Sequence, residues 1–344
     1  MKKTLLTLII CSVCMIAQGQ SVGKMEIKES AVAEKKMAKA AKKIYISEFS
    51  VNYQMAYSQT SIARGGRELG GGYRGDAKAS LNVAIPGVDP MELQKITDEV
   101  YQQYLQKLKG QGFEIVSADE AGKTEIFSDW ERLDGGTISQ AQFPGYLATT
   151  PKGFQYFVRK ITKKGRKKNG IFEYGNKLSR QLEGAFIAKV NLTIPFIEEA
   201  EGGVSRALRK TVGGVAKVVV RPNFSLSPME TVQISKTGSA SAITQSNYIY
   251  FESLKNQGSA RYSLKKPVKI DGVFKDKKYK ASESADQDLW GTDAGHLRIF
   301  HFSDQEVAST QAIECEPQKY IGGAKQVVNE FVMNSLNSFL DIMK

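Results

Sequence analysis

Cysteine is scarce in this 344-residue chain, with three residues at positions 11, 14 and 315. Histidine is scarcer still: His296 and His301 are the only two. They lie in GHLRIFHFSD, which reads as a strand, and five positions along a strand bring side chains to opposite faces. One metal ion therefore does not take both, and structural or surface roles are expected for each. No GxSxG elbow accompanies them, which removes the usual sequence context of a Ser-His-Asp hydrolase. No GK[ST] follows a glycine-rich loop, so a P-loop is excluded. Adjacent carboxylates occur at Glu198-Glu199 and at Asp286/Asp288, both in polar, turn-like settings where solvation is expected. The segment from Asp286 to Gly291 lacks the glutamate twelve positions after its first acid that a calcium loop requires. No catalytic residue, metal site or cofactor is called for by any of these patterns.

Long apolar runs are also missing. The longest, Leu5 to Ala17, falls short of the roughly 20 residues of a membrane-spanning helix. It follows Lys2 and Lys3 and precedes Ala17-Gln18-Gly19, small residues at the −3 and −1 positions of a cleavage site. That is the layout of a secretory leader of bacterial type, with cleavage expected near Gly19. Cys11 and Cys14 lie inside the apolar run, and neither follows the small residue that precedes a lipidated cysteine. Release in soluble form is expected, to the periplasm, the outer membrane or the medium. Only Cys315 survives cleavage, so no internal disulfide forms. In IECEP it reads as a small buried hydrophobe of a strand.

Positive charge is abundant. Lysine and arginine total 48 against 36 acidic residues, a net charge of +12. Without Lys2 and Lys3 the count is 46 against 36, or +10. Such a surface favours anionic partners: lipopolysaccharide, phospholipid headgroups, an acidic glycan, or an envelope protein complex. Export makes nucleic acid the least suitable of the polyanions.

Residues 20–43 are rich in lysine and alanine and read as a polar linker or a solvent-exposed helix. The globular part, 44–344, is expected to begin with the strand KIYISEFSVNYQMAY. A loop with six glycines between Gly65 and Gly75 then leads to an alternating strand, AKASLNVAI, and the two strands are expected to pair antiparallel. The clearest unit follows. Asp89, Pro90 and Glu92 supply an N-cap, a proline at the first helical position and an acid at the third. Leu93, Ile96, Val100, Tyr104 and Leu108 then form one helical face, ended at Gly110 or Gly112. GFEIVS is a short strand, and Ser117 with Glu120 opens a second predicted helix whose face is Ile126, Phe127, Trp130 and Leu133.

From residue 140 strands dominate: 153–161, 170–178, 187–196, 215–226, 231–235, 247–253, 261–271 and 296–302, with a helical segment over 203–214. A long amphipathic helix over 321–342 closes the chain. The fold class is α/β to α+β, a mixed sheet with packed helices and a strand-rich second half, with a possible division near 140–150. Segments 187–196 and 216–226 also match the alternation of strands in membrane barrels, a pattern that half-buried strands of a soluble sheet share.

The densest local signal is basic. Arg159, Lys160, Lys163, Lys164, Arg166, Lys167 and Lys168 fall within ten residues, flanked by Phe154, Tyr156, Phe157, Phe172 and Tyr174. Cations beside aromatic rings suit an anionic surface whose headgroups take the charge while the rings sit at the interface. These seven residues are the candidate binding site. A solvated hairpin tip is the alternative for the same pattern.

The order of parts is similar to that of the family of the curli secretion channel. The shared order is leader, KIYISEFSV, helix 91–109, GFEIVS, capped helix 118–132, alternating strands and closing helix 321–342, about half the chain. The chain departs from that family in lacking a lipobox cysteine and in the long path from 44 to 77. The resemblance implies a part in an outer-membrane assembly or secretion complex and carries over no site residue. Three functions are thus expected in order: an exported, non-catalytic envelope binding or assembly component with an anionic partner, an oligomeric outer-membrane pore or secretion-channel component, and a secreted glycan hydrolase, which would set two carboxylates across a cleft.

Overall fold

The computed structural model describes residues 21–63, 66–67, 73–74, 77–140, 142–168, 174–200, 216–228, 230–233, 241–244, 248–253, 258–281 and 310–344. The leader, the helical segment 203–214, Asp286, Asp288, His296, His301 and the strand 296–302 all lie outside the described residues. The strands that shape the molecule are β1 (Ile27–Val32), β2 (Lys43–Gln54), β3 (Ala56–Ala63), β4 (Ala77–Ala84), β5 (Glu131–Asp134), β6 (Tyr146–Thr149), β7 (Gln155–Val158), β8 (Phe186–Ile194), β9 (Tyr248–Ser253) and β10 (Gly258–Leu264). The helices are α1 (Pro90–Gly110), α2 (Gly175–Gln181) and α3 (Pro317–Ile342).

A mixed sheet of seven strands forms the centre, with six in the order β6-β2-β8-β9-β10-β1. The seventh, Glu114–Ile115, lies parallel to the first residues of β2. β2 and β8 are parallel over nearly their whole length, and the other pairings along the six-strand order are antiparallel. At Met55 the chain leaves this sheet: β3 pairs antiparallel with β4 instead, from Ala56↔Ala84 to Ala63↔Ala77. The corner is fixed by Gly145, whose carbonyl accepts from Met55 N and Ala56 N at 2.8 and 3.0 Å. Its φ is +77°, and a Cβ there would overlap the Ala56 carbonyl, so only glycine fits.

One face of the sheet is apolar. Ile44, Ile46, Phe49, Val51 and Tyr53 of β2 and Phe186, Ala188, Val190, Leu192 and Ile194 of β8 are all buried there. Helices α1 and α3 cover it side by side. Phe49 meets Tyr101 and Tyr104 of α1 at 5.1 and 5.7 Å, and Lys325 of α3 pairs with Glu99 of α1 at 2.6 Å. Helix α1 starts as its sequence predicts, with Asp89 Oδ1 accepting from Met91 N at 2.8 Å. Helix α3 begins four residues earlier than expected, at Pro317, where the missing N–H of proline is no loss.

The apolar residues of β2 change parity between Ile46 and Phe49. A bulge absorbs the slip: the register with β8 shifts so that Ala188 faces Ile46 while Lys189 faces Glu48. Ser47 is the extra residue, and its hydroxyl donates to the Ala188 carbonyl at 3.2 Å. Ser47 and Glu48 consequently share the sheet's second face.

Several expectations are corrected by the structure. Residues 21–37 are neither linker nor free helix. Ser21–Val22 pairs with Asp271 and Ile270, β1 is the edge strand of the central sheet, and a single turn, Glu34–Met37, buries Met37 completely. Cross-strand hydrogen bonds to β10 outweigh the helix propensity of lysine and alanine. The second predicted helix is cut to one turn, Ala118–Ala121, and a 3-10 turn, Glu125–Phe127. The Ser117 cap forms as read, accepting from Glu120 N at 3.1 Å. Leu133, however, belongs to β5, which pairs with β7, so a hairpin replaces the expected last turns. Residues 175–178, expected in a strand, lie in α2. The strand over 215–226 breaks into Val219–Pro222 and Ser225–Leu226, and that over 261–271 into β10 and Val268–Asp271, the latter next to Pro267. Strand β8, one of the two segments with barrel-like alternation, lies inside the sheet between β2 and β9 with Phe186 against α3. Among the described residues no helix is long and apolar enough to cross a membrane.

Candidate functional site

The second face of the sheet is divided. At one end Tyr45, Ile187, Leu178, Leu182, Phe127 and Phe157 form a separate small core under α2, with Phe127 stacked on Phe157 at 4.3 Å. Toward the other end the strands present Glu48, Ser50 and Asn52 from β2 and Asn191 from β8. Between the two ends sits an ion pair: Lys189 Nζ lies 3.8 Å from Glu252 Oε1, the lysine side chain 12% exposed and the glutamate 1%. The Lys189 ammonium also lies 4.9 Å over the Tyr174 ring. Gly175 opens the space for Glu252, since a Cβ there would overlap the carboxylate.

The polar end encloses a chamber of about 210 Å³. Its floor holds the closest polar contacts. Asn191 Nδ2 donates to Glu48 Oε1 at 2.6 Å and to Ser50 Oγ at 3.1 Å, while Asn52 Nδ2 donates to the Leu192 carbonyl at 3.0 Å. Thr150 lines the same space. Its hydroxyl is buried and has no hydrogen-bond partner among the described residues.

Burial pushes the Glu48 carboxyl above its ordinary value of 4.5, against the opposing hydrogen bond from Asn191 and the charge of Lys189. A carboxyl raised in the folded state holds its proton more tightly there than in the unfolded chain. Its stabilising contribution is therefore complete below the ordinary value and is lost as pH rises through the raised one. Urea midpoints measured from pH 4 to pH 8 should show this fall, and Glu48→Gln should flatten it. An identical pH profile in the variant would contradict the assignment.

Two residues of the basic segment, Arg166 and Lys167, line this chamber. Lys160-Ile161 pairs with Lys167-Lys168 in a tight hairpin, held at its turn by Arg166 N donating to Thr162 Oγ1 at 3.0 Å and Gly165 N to the Thr162 carbonyl at 2.8 Å. The seven cations fall into two sets. Arg159, Lys160, Lys163, Lys164 and Lys168 are exposed. Arg166 and Lys167 are half-buried and turn inward to line the chamber. Lys167 reaches the Tyr156 hydroxyl and lies 5.1 Å over that ring, and Arg166 lies 6.0 Å over Phe143. Among the described residues none of the seven has a carboxylate within ion-pairing distance.

No family model, curated protein or solved structure matches this chain. What the site can do is therefore argued from its own geometry.

The aromatic neighbours do not take the interfacial role expected of them. Phe154, Tyr156 and Phe157 are 4, 8 and 6% exposed, because β7 and the residue before it turn these rings into the two cores. Tyr174 is half-buried against Phe127, Trp130 and Lys189, and Phe172 lies outside the described residues. The adjacent acids Glu198 and Glu199 are split by their strand. Glu198 takes Arg221 at 2.5 Å and Asn223 at 2.7 Å, while Glu199 accepts from Gln59 at 3.1 Å. Cys315 is half-buried with its sulfur 3.8 Å from the Pro86 carbonyl, and burial pushes its thiol up to about 12. No group of three metal-ligating side chains occurs among the described residues. Glu48, Asn191 and Lys189 were missed by sequence reasoning. The parity slip of the apolar residues around Ser47 is the signal that marks Glu48.

Proposed function

We propose that the protein is an exported, non-catalytic binding component of the bacterial envelope whose anionic partner is met by the 159–168 segment. One observation carries this reading. A tight, hydrogen-bonded hairpin and the arginine just before it present five exposed cations with no acidic partner among the described residues, so their charge is directed outward rather than into internal ion pairs. The anchoring of Arg166 and Lys167 beneath supports it, since the hairpin is fixed at its base and loses little freedom on contact. The phosphates and carboxylates of lipopolysaccharide, anionic phospholipid or acidic glycan are the complementary groups.

Retention of the protein on anionic vesicles, lipopolysaccharide and an acidic glycan tests the reading. At about 1 kcal/mol per cation near an anionic surface, glutamine at Arg159, Lys160, Lys163, Lys164 and Lys168 together should weaken binding by roughly 5,000-fold. The unsubstituted protein should release on raising the salt. Unchanged binding by the five-fold variant would refute the assignment.

A further inference from the structure

The outward cations explain neither the chamber under the hairpin nor the two cations that turn into it. We propose that this chamber is a sugar subsite that receives one acidic monosaccharide unit, a uronic acid, of the glycan the hairpin meets. The inference rests on the polyanion-binding reading and narrows its partner to carbohydrate.

The size comes first. About 210 Å³ lies below the roughly 300–1,000 Å³ of sites for drug-sized ligands, which suits a single pyranose ring and not an oligosaccharide. The floor is chemically specific. Asn191 directs both amide protons to Glu48 and Ser50, at 2.6 and 3.1 Å, which leaves carboxyl and amide oxygens side by side as acceptors. Adjacent ring hydroxyls can donate to such a pair. The same lining includes Arg166 and Lys167, neither with a carboxylate of the described residues within ion-pairing distance. The planar guanidinium matches a carboxylate with two parallel hydrogen bonds, and it lies 6.0 Å over the Phe143 ring. Phe143 is itself half-exposed and lines the chamber, offering a ring for the C–H face of a pyranose. A lining that holds both hydroxyl-binding groups and cations describes a ligand that carries both hydroxyls and an acid.

Calorimetric titration of the purified protein with galacturonate, glucuronate, galactose and inorganic phosphate is the test. At least one uronate should bind, with galactose at least tenfold weaker and phosphate weaker still. Glu48→Gln should weaken the uronate tenfold or more, with an unchanged near-ultraviolet circular dichroism spectrum. Arg166→Gln should bring the uronate down to the level of galactose. Three results would overturn the subsite: no binding of either uronate, phosphate binding as tightly as the uronate, or uronate affinity unaffected by Glu48→Gln. The five-fold hairpin variant separates this from the reading beneath it. Loss of polyanion retention with uronate binding intact supports both. Retained polyanion binding in that variant removes the hairpin reading and leaves the subsite standing. Absence of uronate binding beside normal, hairpin-dependent polyanion retention removes the subsite alone.

Discussion

Replacing Phe339 with alanine is expected to destabilise the protein by about 3–5 kcal/mol, the range for emptying an aromatic site in a core. Phe339 is fully buried near the end of α3. Its ring stacks on Phe251 of β9 at 3.8 Å with an interplanar angle of 3°, and meets Phe186 of β8 at 5.4 Å and Phe113 at 5.8 Å. Three segments distant in sequence thus converge on one side chain. The opposite end of the same helix is docked by Tyr320, stacked on Phe224 at 4.3 Å. With 26 residues at about 1.5 Å each, α3 spans the sheet between these anchors, so losing one frees half of the helix. Urea unfolding should show a lower midpoint for Phe339→Ala, and Phe339→Leu should lose clearly less because it leaves a smaller cavity. A loss below about 1 kcal/mol, close to that of a surface substitution, would mean that α3 does not hold the sheet as described.

The elements that could be read from the sequence are those in which local and tertiary preferences agree. Helix α1 carries its own cap, its own apolar face and its own glycine stop. Strand β8 alternates Ala188, Val190, Leu192 and Ile194 against Lys189, Asn191 and Thr193, because one of its faces is buried under helices and the other carries the polar groups. Where tertiary pairing outweighs local preference the reading fails. Residues 27–32 have the composition of an exposed helix, yet they complete the sheet edge along β10. The Ser117 cap promises a long helix, yet pairing of β5 with β7 ends it.

The candidate site shows the same division. The seven cations are adjacent in sequence and were found as a cluster, but nothing local separates the five that face solvent from the two that fold inward. Glu48 and Asn191 stand 143 positions apart and meet through the parallel pairing of β2 with β8. The bulge at Ser47 decides that Glu48 faces the polar side at all. A one-residue slip in apolar parity is visible in the sequence, but it acquires meaning only once the partner strand is known.

Lys189→Met is the second substitution expected to cost about 3–5 kcal/mol, the penalty for removing one partner of a buried ion pair. Lys189 stands where the two halves of the second face meet, 3.8 Å from a Glu252 carboxylate that is almost wholly buried. The charges gain little from each other beyond what their desolvation costs, so the pair as such adds little to stability. Removing the lysine alone is different, because the carboxylate then keeps its burial and loses its nearby cation. Methionine preserves the length of the apolar stem and its packing along Tyr174, which isolates the charge from the volume. Glu252→Gln alone should be milder, since a neutral amide tolerates burial better than a carboxylate does. The double variant should recover most of the loss, and a thermodynamic cycle over the four proteins measures the coupling. The same change reaches the chamber. The Lys189 charge holds the Glu48 carboxyl down against the upward push of burial, so Lys189→Met should raise it further and move the fall in stability to higher pH. Additive single and double variants, together with an unmoved pH profile, would show that neither glutamate depends on this lysine.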